Sequence, residues 1–175
     1  MTSDVQRATL ADLEEVLGLF DAVQAWLVEK GLKDQWGDVP FSASEAQRER
    51  FAAWLRAGGF RVVRHEGRIV GTLEFSIDPP EYARAALAGR GRSGYLEAFA
   101  VRRDHAGRGV GAALLGWAVE EAVRRGLETL HLDCWAENGA LRAYYRRAGF
   151  QEVATLTLGA WRGVLFEKVL KPPPP

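Results

Sequence analysis

Apolar positions along the chain recur in two periods, and each switch between them marks a new element. Residues 4–8 read as a short strand. Leu13, Val16, Leu17, Phe20, Val23 and Leu27 then recur at helical spacing as far as Gly31, with Thr9 placed to cap the helix and Asp12 favourable in its first turn. Residues 32–41, holding Gly37 and Pro40, read as loop; Ser42 or Ser44 caps a second helix that carries Phe51, Trp54 and Leu55 and stops at Gly58-Gly59. Runs at 60–65 and 68–77 joined by Glu66-Gly67 predict an antiparallel hairpin, ended by Pro79-Pro80. The connection 78–93 is long enough to be functional and has room for one helical turn at 82–87. A fourth strand then ends at Val101. Beyond it the pattern predicts a helix at 112–125 with Leu114, Leu115, Ala118, Val119 and Ala122 on one face, a strand at 129–135, a helix at 139–148, and paired strands at 151–158 and 162–170. No stretch repeats another.

The turn between the fourth strand and its helix carries the strongest chemical signal. Gly107, Gly109 and Gly111 lack a Cβ, so the backbone there can turn tightly and aim several N–H groups at one anion, with the positive end of the helix dipole behind them. Arg103 and Arg108 flank the loop and are suited to bidentate phosphate contacts. A nucleotide-triphosphate loop needs Lys-Ser or Lys-Thr after its last glycine, whereas Ala112 and Ala113 follow Gly111 here. Gly107, Gly109 and Ala112 satisfy the dinucleotide pattern formally, yet Arg102 to Ala106 intervene after the strand and only one further strand–helix unit of that type follows.

The order strand, Val101-Arg-Arg, Gly107-Arg-Gly-Val-Gly111, helix, strand, Asn138, Tyr145, Gly149-Phe150 resembles the GNAT superfamily of N-acetyltransferases, and the pattern from Arg7 to Asp12 is similar to the usual start of that fold. The resemblance implies an α/β (α+β) fold: a mixed, mostly antiparallel sheet of six to seven strands, flanked by about four helices and splayed between strands 4 and 5 so that pantetheine inserts there. It implies acetyl-CoA as co-substrate and a primary amine as acceptor; a small-molecule amine is expected from the residues of the two long connections, and no metal is expected. By the same resemblance Phe99, Ala100, Val101, Arg103, Ala106, Gly107, Arg108, Gly109, Val110 and Gly111 accompany the cofactor, and Asn138 serves both as helix cap and as an amide for pantetheine. Ala106 departs from the family pattern, which usually has Arg or Gln there; the backbone donors do not depend on that side chain. Tyr145 falls at the spacing of the family's proton donor to the departing thiolate. Of two adjacent tyrosines only one can face a given cleft, because a helix turns about 100° per residue.

Acyl transfer also needs a base. Alternation in the fourth strand puts Tyr95, Glu97, Phe99 and Val101 on one face, where Glu97 would be partly buried and its carboxyl raised toward the working pH. A strand-edge pairing of Glu97 with an arginine is the competing reading, and Asp133 is the reserve base. Cys134 shares a face with Leu130 and Leu132 and reads as core, which favours direct transfer. His105 and His131 have no neighbouring nucleophile or ligand cluster, and His65 reads as a hairpin residue. Arg142, Arg146 and Arg147 read as a solvated stripe, with Arg142 the exception for the 3′-phosphate of CoA. Trp36 and Tyr82, from the two long connections, are expected to line the acceptor pocket together with Glu97, while Trp26 packs on its own helix.

Composition narrows partners and place. With 175 residues, 47% hydrophobic, the chain has enough for one full core, expected as a single acetyltransferase domain over 1–170 followed by a disordered proline tail at 171–175. Lysine plus arginine and aspartate plus glutamate both number 23, so no net field draws the chain to nucleic acid or membrane. One cysteine and no leader-like apolar segment point to the cytoplasm. A homodimer is left open. The alternative function is a non-catalytic acyl-CoA-binding sensor or regulatory domain, against which Glu97, Asn138 and Tyr145 speak.

Overall fold

The computed structural model describes residues 4–170, so the expected proline tail lies outside the described residues. The elements are β1 (Val5–Arg7), α1 (Leu13–Glu29), α2 (Glu45–Ala57), β2 (Phe60–His65), β3 (Arg68–Ser76), α3 (Glu81–Leu87), β4 (Ser93–Val101), α4 (Val110–Arg124), β5 (Thr129–Trp135), α5 (Gly139–Arg147), β6 (Gln151–Leu158) and β7 (Trp161–Val169), with short 3₁₀ turns between some of them. Seven strands follow the order β1-β2-β3-β4-β5-β7-β6 in one sheet. The pairs β1–β2, β2–β3, β5–β7 and β6–β7 are antiparallel and β4–β5 is parallel. The mixed, mostly antiparallel architecture is the one expected. Among the described residues there are five helices, in keeping with the about four expected, and the helical turn allowed for in the long connection is a full element, α3.

Local chemistry explains most boundaries. The Glu66-Gly67 turn has φ of 50° and 77°, the two positive values a type I′ hairpin requires. Thr9 opens a 3₁₀ turn rather than α1 itself; its N–H donates to the Asp12 carboxylate at 2.8 Å, and α1 begins one residue later. Ser44, not Ser42, caps α2, accepting the Gln47 N–H at 3.4 Å, whereas the Ser42 hydroxyl is taken by Asp21 at 2.5 Å.

The chain forms two compact units, one running to Glu74 and taking in Ala98–Leu114, the other holding Phe75–Glu97 and the chain from Leu115. In the first, Leu17, Phe20 and Leu27 of α1 bury themselves with Phe51 and Leu55 of α2 against Phe60, Val62 and Ile69 of the sheet. In the second, Ala83 and Leu87 of α3 pack with Tyr95, Leu156 and Leu165. The alternation expected along β4 does not run to its end. Ala98 has φ of 47°, left-handed backbone that no extended strand contains, so the two-residue period is interrupted directly after Glu97. The Thr72 hydroxyl fixes this kink by donating to the Ala98 carbonyl at 2.7 Å.

Candidate functional site

In the first unit β4 delivers the chain to the glycine loop. The Arg102 N–H donates to the Val70 carbonyl at 2.9 Å, one 3₁₀ turn spans Arg103–His105, and α4 starts at Val110. Gly107 and Gly109 have φ of 76° and 84°, and a Cβ at either would meet nothing within 4 Å. The loop thus presents main chain to open space, next to first-turn amides that a helix leaves without internal acceptors. That cradle fits a pyrophosphate, and only glycine keeps it both unstrained and unobstructed. Gly111 already lies inside α4, Val110 is buried, and Ala106 and Arg108 are exposed beside the loop. Phe99 and Val101 of β4 are half-buried and Ala100 is buried in the core. Arg103 lays its guanidinium 4.0 Å over the Trp26 ring, and the two line a pocket of about 260 Å³ with Ala22, Val23, Arg102 and Asp104. Trp26 is therefore more than packing for its own helix.

One helper in this unit was not foreseen. A Cβ at Gly71 of β3 would meet Val110 Cγ1 at 2.4 Å and Leu114 Cδ1 at 3.0 Å, so this glycine lets the start of α4 sit close against the strand. An isolated glycine within a strand pattern was the available signal. Trp36 meets Phe20 and Phe41 at centroid distances of 5.4 and 5.6 Å, and the buried Gln24 amide donates to the Trp36, Gly37 and Val39 carbonyls at 3.1, 3.2 and 3.0 Å. The tryptophan is thus half-buried and packed against the core of this unit. His105 pairs with Asp104 at 2.9 Å and stacks edge-on to His65 at 5.2 Å.

In the second unit a set of phenols and carboxylates gathers on β4, β5 and α3. The parallel ladder joins Ser93–Leu96 to Thr129–Leu132, and Glu97 and Asp133 are the next residues of their strands. The Asp133 carboxylate oxygen Oδ2 accepts the Tyr95 hydroxyl and, at 3.0 Å, the Tyr82 hydroxyl. Burial, reinforced by the Asp133 charge, pushes the Tyr95 phenol far up, so it stays a donor. Glu97 is half-buried two positions after Tyr95 on the same strand face.

Tyr145 is buried on α5, its ring 5.4 Å from Phe166 and 6.3 Å from Phe150. Burial raises its phenol well above the ordinary value, so it is protonated at neutral pH. Asn138 caps α5 as expected, with Oδ1 accepting the Leu141 N–H at 3.0 Å. Burial first, and then the Asp133 charge, push the Cys134 thiol up to about 12, which leaves it without thiolate character. Arg142 and Arg146 do not form a merely solvated stripe. Arg142 grips Glu152 through Nε and Nη2 at 3.0 and 2.9 Å and donates to the Ala136 carbonyl at 3.1 Å, and Arg146 Nε adds a contact to Glu152 at 3.1 Å.

The sequence from 23 to 150 matches the acetyltransferase (GNAT) family. The chain belongs to that family. It is 29% identical over 164 residues to the uncharacterized N-acetyltransferase YesJ of Bacillus subtilis strain 168, covering 92% of this chain and 87% of that protein. Its fold is similar to that of a GNAT-family acetyltransferase from Listeria monocytogenes 4b F2365, with a TM-score of 0.75 at 22% identity over 95% of this chain and 94% of the other. It is also similar to the PaiA N-acetyltransferase of Thermoplasma acidophilum, solved in complex with coenzyme A, with a TM-score of 0.69 at 15% identity over 97% and 99% of the two chains. The protein is thus an N-acetyltransferase of the GNAT type. Among the described residues no helix is long and apolar enough to cross a membrane, and no group of three or more His, Cys, Asp or Glu side chains could hold a metal ion.

Proposed function

We propose that this GNAT acetyltransferase moves an acetyl group from acetyl-CoA directly to the primary amine of a small molecule. The observation that carries the reading is the pair of left-handed glycines, 107 and 109, which hold open main chain at the start of α4 in a chain of this family. Acetyl-CoA supplies the acyl group as an activated thioester. When acetyl-CoA is bound, the Gly107–Gly109 amides and those of Val110 and Gly111 would hold the pyrophosphate, with Arg108 and Arg103 as charged partners, and the β4 main chain from Phe99 to Val101 and the Asn138 amide would serve pantetheine. Arg142 reaches the 3′-phosphate only by yielding its grip on Glu152. Glu97 takes a proton from the attacking ammonium, directly or through water, and the Tyr145 hydroxyl gives one to the departing thiolate. The raised Cys134 thiol supports direct transfer over a relay through an acetylated cysteine. A single cysteine suits a reducing cytoplasm.

The test is thiol release from acetyl-CoA across a panel of small primary amines. We expect saturable turnover with at least one of them. Glu97→Gln should lose most of that turnover near neutral pH and regain part of it at higher pH, where more of the amine is already neutral. Binding of acetyl-CoA with no amine-dependent thiol release would remove the catalytic reading, and a pH profile unchanged by Glu97→Gln would move the base elsewhere.

A further inference from the structure

Helix α3 is fastened to the sheet by two polar clamps, each closing on one carboxylate oxygen. At its N-terminal end the Tyr82 hydroxyl meets Asp133 Oδ2 at 3.0 Å, where the Tyr95 hydroxyl also arrives. Just after its C-terminal end Arg90 Nη1 meets Glu167 Oε2 at 3.1 Å, where His131 Nε2 also arrives at 2.9 Å, and Arg90 Nε ties back to the Ala86 carbonyl at 2.9 Å. Between the clamps Ala83 and Leu87 are buried against Tyr95 and Leu165. The helix therefore covers the face of β4 on which Tyr95 lies, and alternation puts Glu97 on that same face.

The clamps differ in where they act. His131 is paired with Tyr95 inside the parallel ladder, so the Arg90 clamp fastens sheet that is already zipped. Asp133 follows Leu132, the last β5 residue in that ladder, just as Glu97 follows Leu96. The Tyr82 clamp thus holds α3 at the level of the candidate base. Its ring also stands edge-on to Trp161, the first residue of β7, at 6.4 Å, so the outer end of α3 is an aromatic wall rather than a free loop.

We infer that Tyr82 is a positioning residue for acceptor choice: by its hydrogen bond to Asp133 it holds α3 as a wall beside Glu97, restricting the acceptor to slim primary amines. This rests on Glu97 and amine acetylation as read above. Tyr82 acts through Asp133 and takes no proton in the reaction.

The experiment compares 1,4-diaminobutane with a hexapeptide bearing a free N-terminus, both assayed by thiol release from acetyl-CoA. The native protein should prefer the diamine. Tyr82→Phe keeps the ring and deletes one hydrogen bond to a charged group, so KM for the diamine should rise about tenfold and the preference over the peptide should narrow by a similar factor. Affinity for CoA by calorimetry should stay unchanged. In an Asp133→Ala background, Tyr82→Phe should add nothing further to either ratio. Arg90→Gln, which loosens the other clamp, should lower Tm without narrowing the preference. If neither amine is acetylated by the native protein, the inference falls together with the amine-transfer reading. If the native protein prefers the peptide, if Tyr82→Phe leaves diamine KM unmoved, or if Arg90→Gln narrows the preference equally, the positioning role alone is wrong.

Discussion

The glycine loop and the phenol–carboxylate cluster are built in opposite ways. At Gly107 and Gly109 the useful groups are main-chain amides, fixed by the sign of φ, and the neighbouring side chains Ala106 and Arg108 are exposed. Around Asp133 the useful groups are side chains, held by hydroxyls from α3 and β4, and Tyr145 is enclosed by the rings of Phe150 and Phe166. On the proposed reading, a site made of backbone tolerates changes of side chain so long as glycine stays where φ is positive. A site made of side chains depends on the identity of each, and loss of a single hydroxyl should be felt.

The largest effect should come from the side-chain half. Tyr145→Phe retains the ring against Phe166 and Phe150 and removes only the proton that the buried phenol keeps at neutral pH. With chemistry rate-limiting, kcat should fall by roughly 10²-fold or more while CoA affinity hardly moves. Tyr144→Phe, at a half-buried neighbour, should leave kcat nearly unchanged. Equal kinetics for the two variants, measured with the best amine, would dissolve the distinction drawn between these adjacent tyrosines.

The backbone half should respond next, and in the other parameter. Valine at position 109 would have to adopt φ of 84° and would project a branched side chain into the space in front of the loop. The first costs on the order of 1–2 kcal/mol, and the second obstructs the approach of a phosphate. Affinity for CoA should drop by about tenfold or more, a free-energy change of about 1.4 kcal/mol or more. Arg108→Ala, which alters only an exposed side chain, should cost less. A larger loss from Arg108→Ala than from Gly109→Val in calorimetry would mean that the phosphates are held by side chains after all.

The same division explains what could be read from the chain beforehand. Glycine spacing, hairpin residues and the capping amide of Asn138 act over a few neighbours, so the loop, the Glu66-Gly67 turn and the start of α5 were legible from local pattern. The Tyr82–Asp133 contact bridges 51 positions and the Tyr95–Asp133 contact 38, distances at which no periodicity carries information. Asp133 was legible as polar on a strand, but not as the acceptor of two phenols. Arg146 reads as part of a solvated stripe and Arg142 as its exception for a phosphate, because Glu152, which binds both, belongs to the next strand rather than to their own helix. Trp36 likewise faces Phe20 and Phe41 only once the loop has folded onto α1.

The smallest expected effect bears on the kink in β4, where local pattern pointed the wrong way. Ala98 occupies left-handed backbone at φ of 47°, which costs a non-glycine residue roughly 1–2 kcal/mol. Glycine removes that strain, yet loses about 0.5–1 kcal/mol to the freer unfolded chain and about 0.8 kcal/mol if the methyl is fully buried. These terms nearly cancel, so Ala98→Gly should change stability by less than about 1 kcal/mol in chemical denaturation. Ala100, 6% exposed and in the same strand, has no positive φ to relieve, so Ala100→Gly carries only the two losses and should destabilise clearly. The difference between the two substitutions, more than either alone, measures the strain that Thr72 holds at the Ala98 carbonyl directly after Glu97. Equal losses at 98 and 100 would show that β4 runs straight in solution, and Glu97 would then belong to an ordinary alternating strand rather than to one that is bent immediately beyond its carboxylate.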